Sequence, residues 1–170
     1  LKKPQLPNGS YFIRFYKGEK PLRNPISINE YDVLWLNRDG SPTTFTKLIY
    51  EKLYPASDTP EKRFEQRAKL MGMLTEYWRA HRKVAGVLEF CGLGYSRPNP
   101  PYGQTSDFLI DVKNAIIEPY YVQYLRPAFN PVGLMLDFWD EKLQPGKEIS
   151  FPVSIINDTY ETWKGTIRIS

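Results

Sequence analysis

Residues 24–42 read NPISINEYDVLWLNRDGSP, and the order of signals within them decides how the chain is built. Ile26-Ser27-Ile28 is a short β-branched run that ends a strand at about residue 30 and leaves Glu30 at its C-terminal edge. Asp39-Gly40-Ser41-Pro42 then turns the chain and predicts a helix start, with Ser41 as N-cap and Pro42 in the first turn. Phe45, Leu48, Ile49 and Leu53 recur at helical spacing, and Pro55 ends that helix.

A second helix start follows at Thr59-Pro60. Phe64, Ala68, Met71, Leu74 and Trp78 share one face, which predicts a long amphipathic helix over about 60–81, with Glu61, Lys62, Glu65, Lys69 and Arg79 on a solvated face. Val84, Val87, Leu88 and Phe90 then form a near-continuous apolar run, the pattern of a parallel strand covered on both sides. Strand, two helices and strand make a crossover of the α/β kind, so residues 25–90 read as the end of an α/β layer or barrel. Upstream, residues 10–17 alternate as a further strand after Asn8-Gly9.

The pattern changes downstream. Residues 92–106 are rich in Gly, Pro and Tyr and read as loop; residues 110–117 predict a short helix, followed by an extended run broken at Pro119. After Pro127, three runs alternate with period two: Val132 to Phe138, Ile149 to Ile155 and Trp163 to Ile169. Each predicts an antiparallel strand with one apolar face, and three such strands need a second sheet or another domain to cover them. The fold class expected is therefore α/β followed by all-β, in a piece of a longer chain, with a complete small α+β protein as the alternative. The first residue, Leu1, agrees with a mature or excised chain.

Composition narrows the partners. The chain has 170 residues, 41% hydrophobic and 25% charged, and no run approaches the roughly 18 apolar residues that span a bilayer. The net charge of +4 is mild and spread along the chain, so neither nucleic acid nor a membrane span is expected. A single Cys and a single His exclude an internal disulfide and a multi-cysteine or histidine-rich metal centre. No metal and no cofactor is expected. Twelve Tyr, nine Phe and four Trp suit stacking on sugar rings and equally suit cores and sheet faces.

Catalytic side chains in parallel α/β architectures sit at the C-terminal ends of strands. Glu30 meets that condition, flanked by Asn29 and Tyr31, with Trp35, Asn37, Arg38 and Asp39 on the following loop and Tyr95 on a later one. Such a set suits a hydroxyl-rich substrate; a carboxylate that caps a helix or pairs with a lysine accounts for Glu30 as well. Glu89 on the second strand reads as structural, in need of a partner such as Arg97 or a lysine. Cys91 and His81 fall at a strand end and a helix end with no third group to complete a nucleophilic triad.

The order Ile28-Asn29-Glu30-Tyr31, the helix RFEQRAKLMGMLTEYWRAHR and the strand VAGVLEF resembles the last quarter of the catalytic barrel of glycoside hydrolase family 2. EPYYVQYLRPAFNPVGLML and LQPGKEISFPVSIINDTYETWKG resemble the passage of such enzymes into an immunoglobulin-like sandwich. The resemblance spans most of residues 20–170, and departs at Phe90, where the family usually has Trp, at Asp32, where Gly is usual, and at Asn29, where a small or hydroxyl residue is more common. It implies that residues 1–118 are the C-terminal part of a (β/α)8 barrel (its last two strands and intervening helices), 119–130 a linker and 131–170 the start of an Ig-like β-sandwich.

The function implied is retaining glycoside hydrolysis of the β-galactosidase, β-glucuronidase or β-mannosidase kind. Glu30 is then the nucleophile, Asn29, Tyr31, Trp35, Asn37, Arg38, Asp39 and Tyr95 contact an oligosaccharide or glycoside, and the acid/base lies upstream of Leu1. Glu30 is not itself that acid/base, because only one further strand precedes the linker. The chain alone is then inactive and packs on the remaining domains of its parent. Such enzymes often work in the periplasm or outside the cell; a lone Cys fits the cytoplasm equally. The alternative is a non-catalytic carbohydrate-binding or structural accessory module.

Overall fold

The computed structural model describes residues 25, 27–31, 33–81, 84–89, 94, 108–139 and 143–168. The strand expected over residues 10–17 lies outside the described residues, as do Asp32, Phe90, Cys91, Tyr95 and Arg97.

Strand β1 (Ser27–Asn29) pairs in parallel with β2 (Gly86–Leu88), with Ile28 opposite Val87 and Asn29 opposite Leu88. A tight turn cannot join parallel neighbours. The chain crosses between them through α1 (Lys47–Leu53) and α2 (Pro60–Ala80). Ile28 and Val87 pack against a cluster of Tyr31, Met71, Tyr77, Trp78, Phe108 and Leu125, whereas Asn29 and Leu88, one residue on, are exposed. Alternation along the strands thus gives the pair one face on the helices and one open face.

Helix α2 begins where the sequence predicts. Thr59 is its N-cap and accepts the Lys62 amide at 3.3 Å, with Pro60 in the first turn. Of the predicted core stripe, Ala68, Met71 and Trp78 are buried and Phe64 and Leu74 half-buried, but Arg67, Leu70, Gly72, Thr75 and Tyr77 are buried too. One stripe covers one neighbour; α2 has several, touching β2, a later helix and a later pair of strands.

The helix expected from Pro42 starts later. Asp39 accepts both the amide and the hydroxyl of Ser41, at 2.9 and 2.6 Å, and Asn37 and Ser41 close a turn through backbone bonds. Ser41 is thereby committed to a turn, and Thr46 becomes the cap residue of α1, its hydroxyl donating to the Trp35 carbonyl. The buried side chain of α1 is Tyr50, whose phenol donates to the Leu34 carbonyl; of the expected core stripe, Ile49 is half-buried against Leu34, Leu36, Tyr50 and Leu70, while Phe45, Leu48 and Leu53 are exposed. Gly40 has a positive φ of 75°, and a Cβ there would lie 2.6 Å from Pro60 Cβ, so the turn packs on the start of α2 only with glycine.

Residues 108–128 differ most from expectation. In place of a helix over 110–117, Leu109–Asp111 (β3) and Ile116–Ile117 (β4) form an antiparallel hairpin, its turn closed by Asp111 accepting from the Asn114 amide and side chain. β-Branched Ile110, Val112, Ile116 and Ile117 favour extended backbone. In the stretch expected as an extended linker, Pro119–Ala128 forms helix α3. Buried Glu118 caps it, accepting the amides of Tyr120 and Tyr121 at 3.0 and 2.7 Å, and Pro119 occupies the first turn, where its missing N–H costs nothing. The α3 backbone approaches α2 closely at Gly72, where a Cβ would stand 3.0 Å from the Tyr124 carbonyl oxygen.

Val132–Leu136 (β5) and Val153–Asn157 (β6) pair antiparallel, with Leu134 opposite Ile155. Met135 and Ile156 are buried, while Leu134, Leu136, Val153 and Ile155, of the apolar phase expected to need a second sheet or another domain, are exposed. Both strands lie beside α2, and the more apolar phase is the one left exposed. Residues 163–168, expected as a third strand, form none. Arg79 ties this hairpin to the helices, bonding Asp158 at 2.7 Å, the Asn130 carbonyl at 2.7 Å and the Ala128 carbonyl.

Two measurements test this packing. Gly72→Leu should lower the unfolding free energy by about 2 kcal/mol or more, because the side chain must displace α3 backbone; urea denaturation reads it. Burial pushes the Glu76 carboxyl up to about 7 against the opposing pull of Arg79. The folded state then holds that proton more tightly than the unfolded chain, so stability falls as pH rises from about 4.5 to 7, by about 2 kcal/mol, and Glu76→Gln should flatten the fall.

Candidate functional site

The site begins at the C-terminal end of the parallel pair. The Glu30 amide donates to the Leu88 carbonyl at 3.0 Å, continuing the ladder one residue beyond β1. There the backbone turns: Glu30 has a φ of 62°, the left-handed region that costs a residue with a Cβ about 1–2 kcal/mol. The turn breaks the strand's alternation, so Glu30 is exposed while Tyr31 enters the core.

Tyr31 is anchored there. Its hydroxyl lies 2.7 Å from Thr75 Oγ1, and Thr75 donates in turn to the Met71 carbonyl at 2.8 Å; with the Thr75 proton so used, Tyr31 is the donor between them. This pins the chain after Glu30 to the middle of α2. On the neighbouring strand, Glu89 accepts the Tyr121 phenol at 2.7 Å, which pins the end of β2 to α3. Burial, then the hydrogen bond and charge of Glu89, push the Tyr121 hydroxyl well above the ordinary tyrosine range, so it stays protonated and donating.

The expected binding residues separate into three groups. Asn29 and Glu30 are exposed together at the strand end, and Trp35 is half-buried on the following loop. Asn37 and Asp39 serve the local turn: Asn37 donates to Ser41 Oγ and the Pro42 carbonyl, and the Ser41 bonds hold the Asp39 carboxyl below its ordinary range. Arg38 donates to the Leu109 carbonyl and so joins this loop to the β3–β4 hairpin, while Tyr31 lies in the core. Tyr95 lies outside the described residues.

Glu89 has a structural partner in the Tyr121 phenol; Arg97, the cation expected beside it, lies outside the described residues. Thr75 holds Tyr31 and Tyr121 holds Glu89, while Glu118 caps the helix that carries Tyr121 and Arg67 lies over Phe108; the expected site includes none of Arg67, Thr75, Glu118 and Tyr121. Only Glu118 carried a local signal, the Glu-Pro pair that caps α3; the others depend on which helix faces meet. His81 Nδ1 lies 2.6 Å from the Tyr77 carbonyl and its ring 4.1 Å from that of Tyr77, a helix-end contact. Among the described residues no group of His, Cys, Asp and Glu could hold a metal ion.

A depression of ≈ 520 Å³ elsewhere is lined by Pro42, Tyr50, Glu51, Tyr54 and Arg63 among others, and includes neither Glu30 nor Glu89. The Tyr50 phenol and the Arg63 guanidinium in it are already engaged, Tyr50 with Leu34 and Arg63 with the carbonyls of Gly40 and Ser57. Chemically, the strand end presents one solvent-facing carboxylate on a backbone held from both sides. Such a group can act as a nucleophile, as a base or as a fixed negative charge. No protein-family model, no curated protein and no solved structure matches this chain.

The left-handed backbone at Glu30 separates stability from function. Glu30→Gly should leave the unfolding free energy at or above that of the parent by up to about 1 kcal/mol, because glycine relieves the strain. Glu30→Val should lose about 1–2 kcal/mol, since a β-branched residue fits this region worst. Thermal and urea unfolding of the two variants would check the sign; equal losses would contradict it.

Proposed function

We propose that this chain carries the nucleophile half of a retaining glycosidase site, with Glu30 as the nucleophile. The observation that supports this most is the setting of Glu30. It stands at the C-terminal end of a parallel strand, exposed, on a left-handed backbone, while the residues beside it on both strands are tied into α2 and α3. Strained backbone of this kind persists where the surrounding structure enforces it, and it clusters at functional sites.

The resemblance to glycoside hydrolase family 2 supplies the chemistry. Glu30 attacks the anomeric carbon, and the glycosidic bond breaks as a carboxylic acid about 5 Å away protonates the leaving oxygen. Water, deprotonated by that same group, then cleaves the glycosyl ester and regenerates Glu30. Asn29 beside the nucleophile and Trp35 on the loop suit a sugar's hydroxyls and its apolar face. Under this reading the acid/base and the other barrel strands belong to a longer parent. The open face of β1 and β2 supports it: parallel sheets are ordinarily covered on both sides, yet Leu88 is 59% exposed. The exposed apolar phase of β5 and β6 fits the inner face of a sandwich whose second sheet lies elsewhere in the parent. Work in the periplasm or outside the cell belongs to the same proposal.

The test uses the full-length parent and a panel of aryl glycosides. Glu30→Gln should reduce turnover by several orders of magnitude while sugar binding persists, and a 2-deoxy-2-fluoro glycoside should trap an ester on the peptide containing Glu30. Turnover that survives the substitution, or a label on another carboxylate, would sink the assignment. Glycan binding without turnover in the parent itself would favour an accessory module.

A further inference from the structure

Glu30 and Glu89 are lateral neighbours, because Asn29 pairs with Leu88 and the Glu30 amide donates to the Leu88 carbonyl. The direction in which Glu30 is presented therefore depends on where β2 ends. Glu89 shares its strand face with Val87, toward the helices, and there it accepts the Tyr121 hydroxyl at 2.7 Å.

Tyr121 is itself held at several points. Its amide donates to the Glu118 carboxylate at 2.7 Å, and its ring stacks on Phe108 with centroids 3.7 Å apart and a tilt of 35°. The Phe108 carbonyl accepts the Glu118 amide at 2.8 Å, and the buried Arg67 guanidinium lies 3.9 Å from the centroid of the Phe108 ring. A phenol in such a frame has little freedom, so the carboxylate it binds has little either.

We propose that Tyr121 is a positioning residue for Glu30: by holding Glu89, its hydroxyl fixes the end of β2 to which the Glu30 amide is bonded, and so fixes how the nucleophile is presented. The proposal rests on Glu30 being the nucleophile. Tyr121 touches no reacting atom; it acts through Glu89 and the Leu88 carbonyl.

Tyr121→Phe keeps the ring on Phe108 and removes only the hydroxyl. Amide exchange followed by NMR on the full chain should show Glu30 exchanging on the order of tenfold faster or more, with Met71 and Thr75 in mid-α2 as protected as before. Glu89→Ala should have the same local effect, and Glu89→Gln, which keeps an acceptor, should restore slow exchange. In the full-length parent, Tyr121→Phe should lower kcat for a 2,4-dinitrophenyl glycoside on the order of tenfold, with KM little changed. Unchanged Glu30 exchange, or a rise shared by all amides, overturns the positioning role and leaves the nucleophile reading intact. Faster local exchange in a parent that Glu30→Gln does not inactivate instead overturns the nucleophile reading, and the catalytic part of this proposal with it.

Discussion

Parallel pairing of Ser27–Asn29 with Gly86–Leu88 is the constraint on which the rest of the structure depends. Two strands running the same way cannot be closed by a turn, so the chain between them must travel the length of the pair and return. It returns as α2, a helix of 21 residues. Once α2 lies on the sheet, Ile28 and Val87 have a surface to bury against. The rest of α2 then becomes the surface on which α3 and the β5–β6 pair are laid.

The polar contacts of α2 follow from that crowding. A helix with several neighbours buries side chains that would face solvent on a helix with one, and each buried polar group needs a partner. Thr75 meets Tyr31, Glu65 meets the Tyr124 phenol at 3.0 Å, and Arg79 meets two carbonyls and Asp158. Arg67 lies over Phe108. The same bonds fix the strand end, because Tyr31 and Glu89 stand on either side of Glu30. Rigidity at the candidate site is thus a by-product of how α2 is covered.

Elements set by local chemistry were legible. Thr59-Pro60 marks the start of α2 to the residue, and the β-branched and apolar runs locate β1, β2 and β5, whereas β6 begins at Val153, four residues after the run expected from Ile149. Glu30 could be placed at a strand end from spacing alone. Errors arose where two local signals competed. Ser41-Pro42 is a fair helix start, but Asp39 took the Ser41 hydroxyl first. Ile116 and Ile117 favour strand by their β-branching, and the Asp111–Asn114 turn closes the hairpin. Glu118-Pro119 was a cap and first turn that could have been read as α3.

By itself the sequence determined the crossover, the long helix and the carboxylate at the end of β1, because caps, period and β-branching act within a few residues of one another. Only the tertiary structure decided which phase of β5 and β6 is buried, that Tyr31 serves the core while Glu30 faces solvent, and that Glu89 answers to Tyr121. The last two outcomes depend on contacts between residues 31 and 75, and between 89 and 121. Separations of that size carry no local period or propensity, and they take effect only when helix faces and strand ends meet.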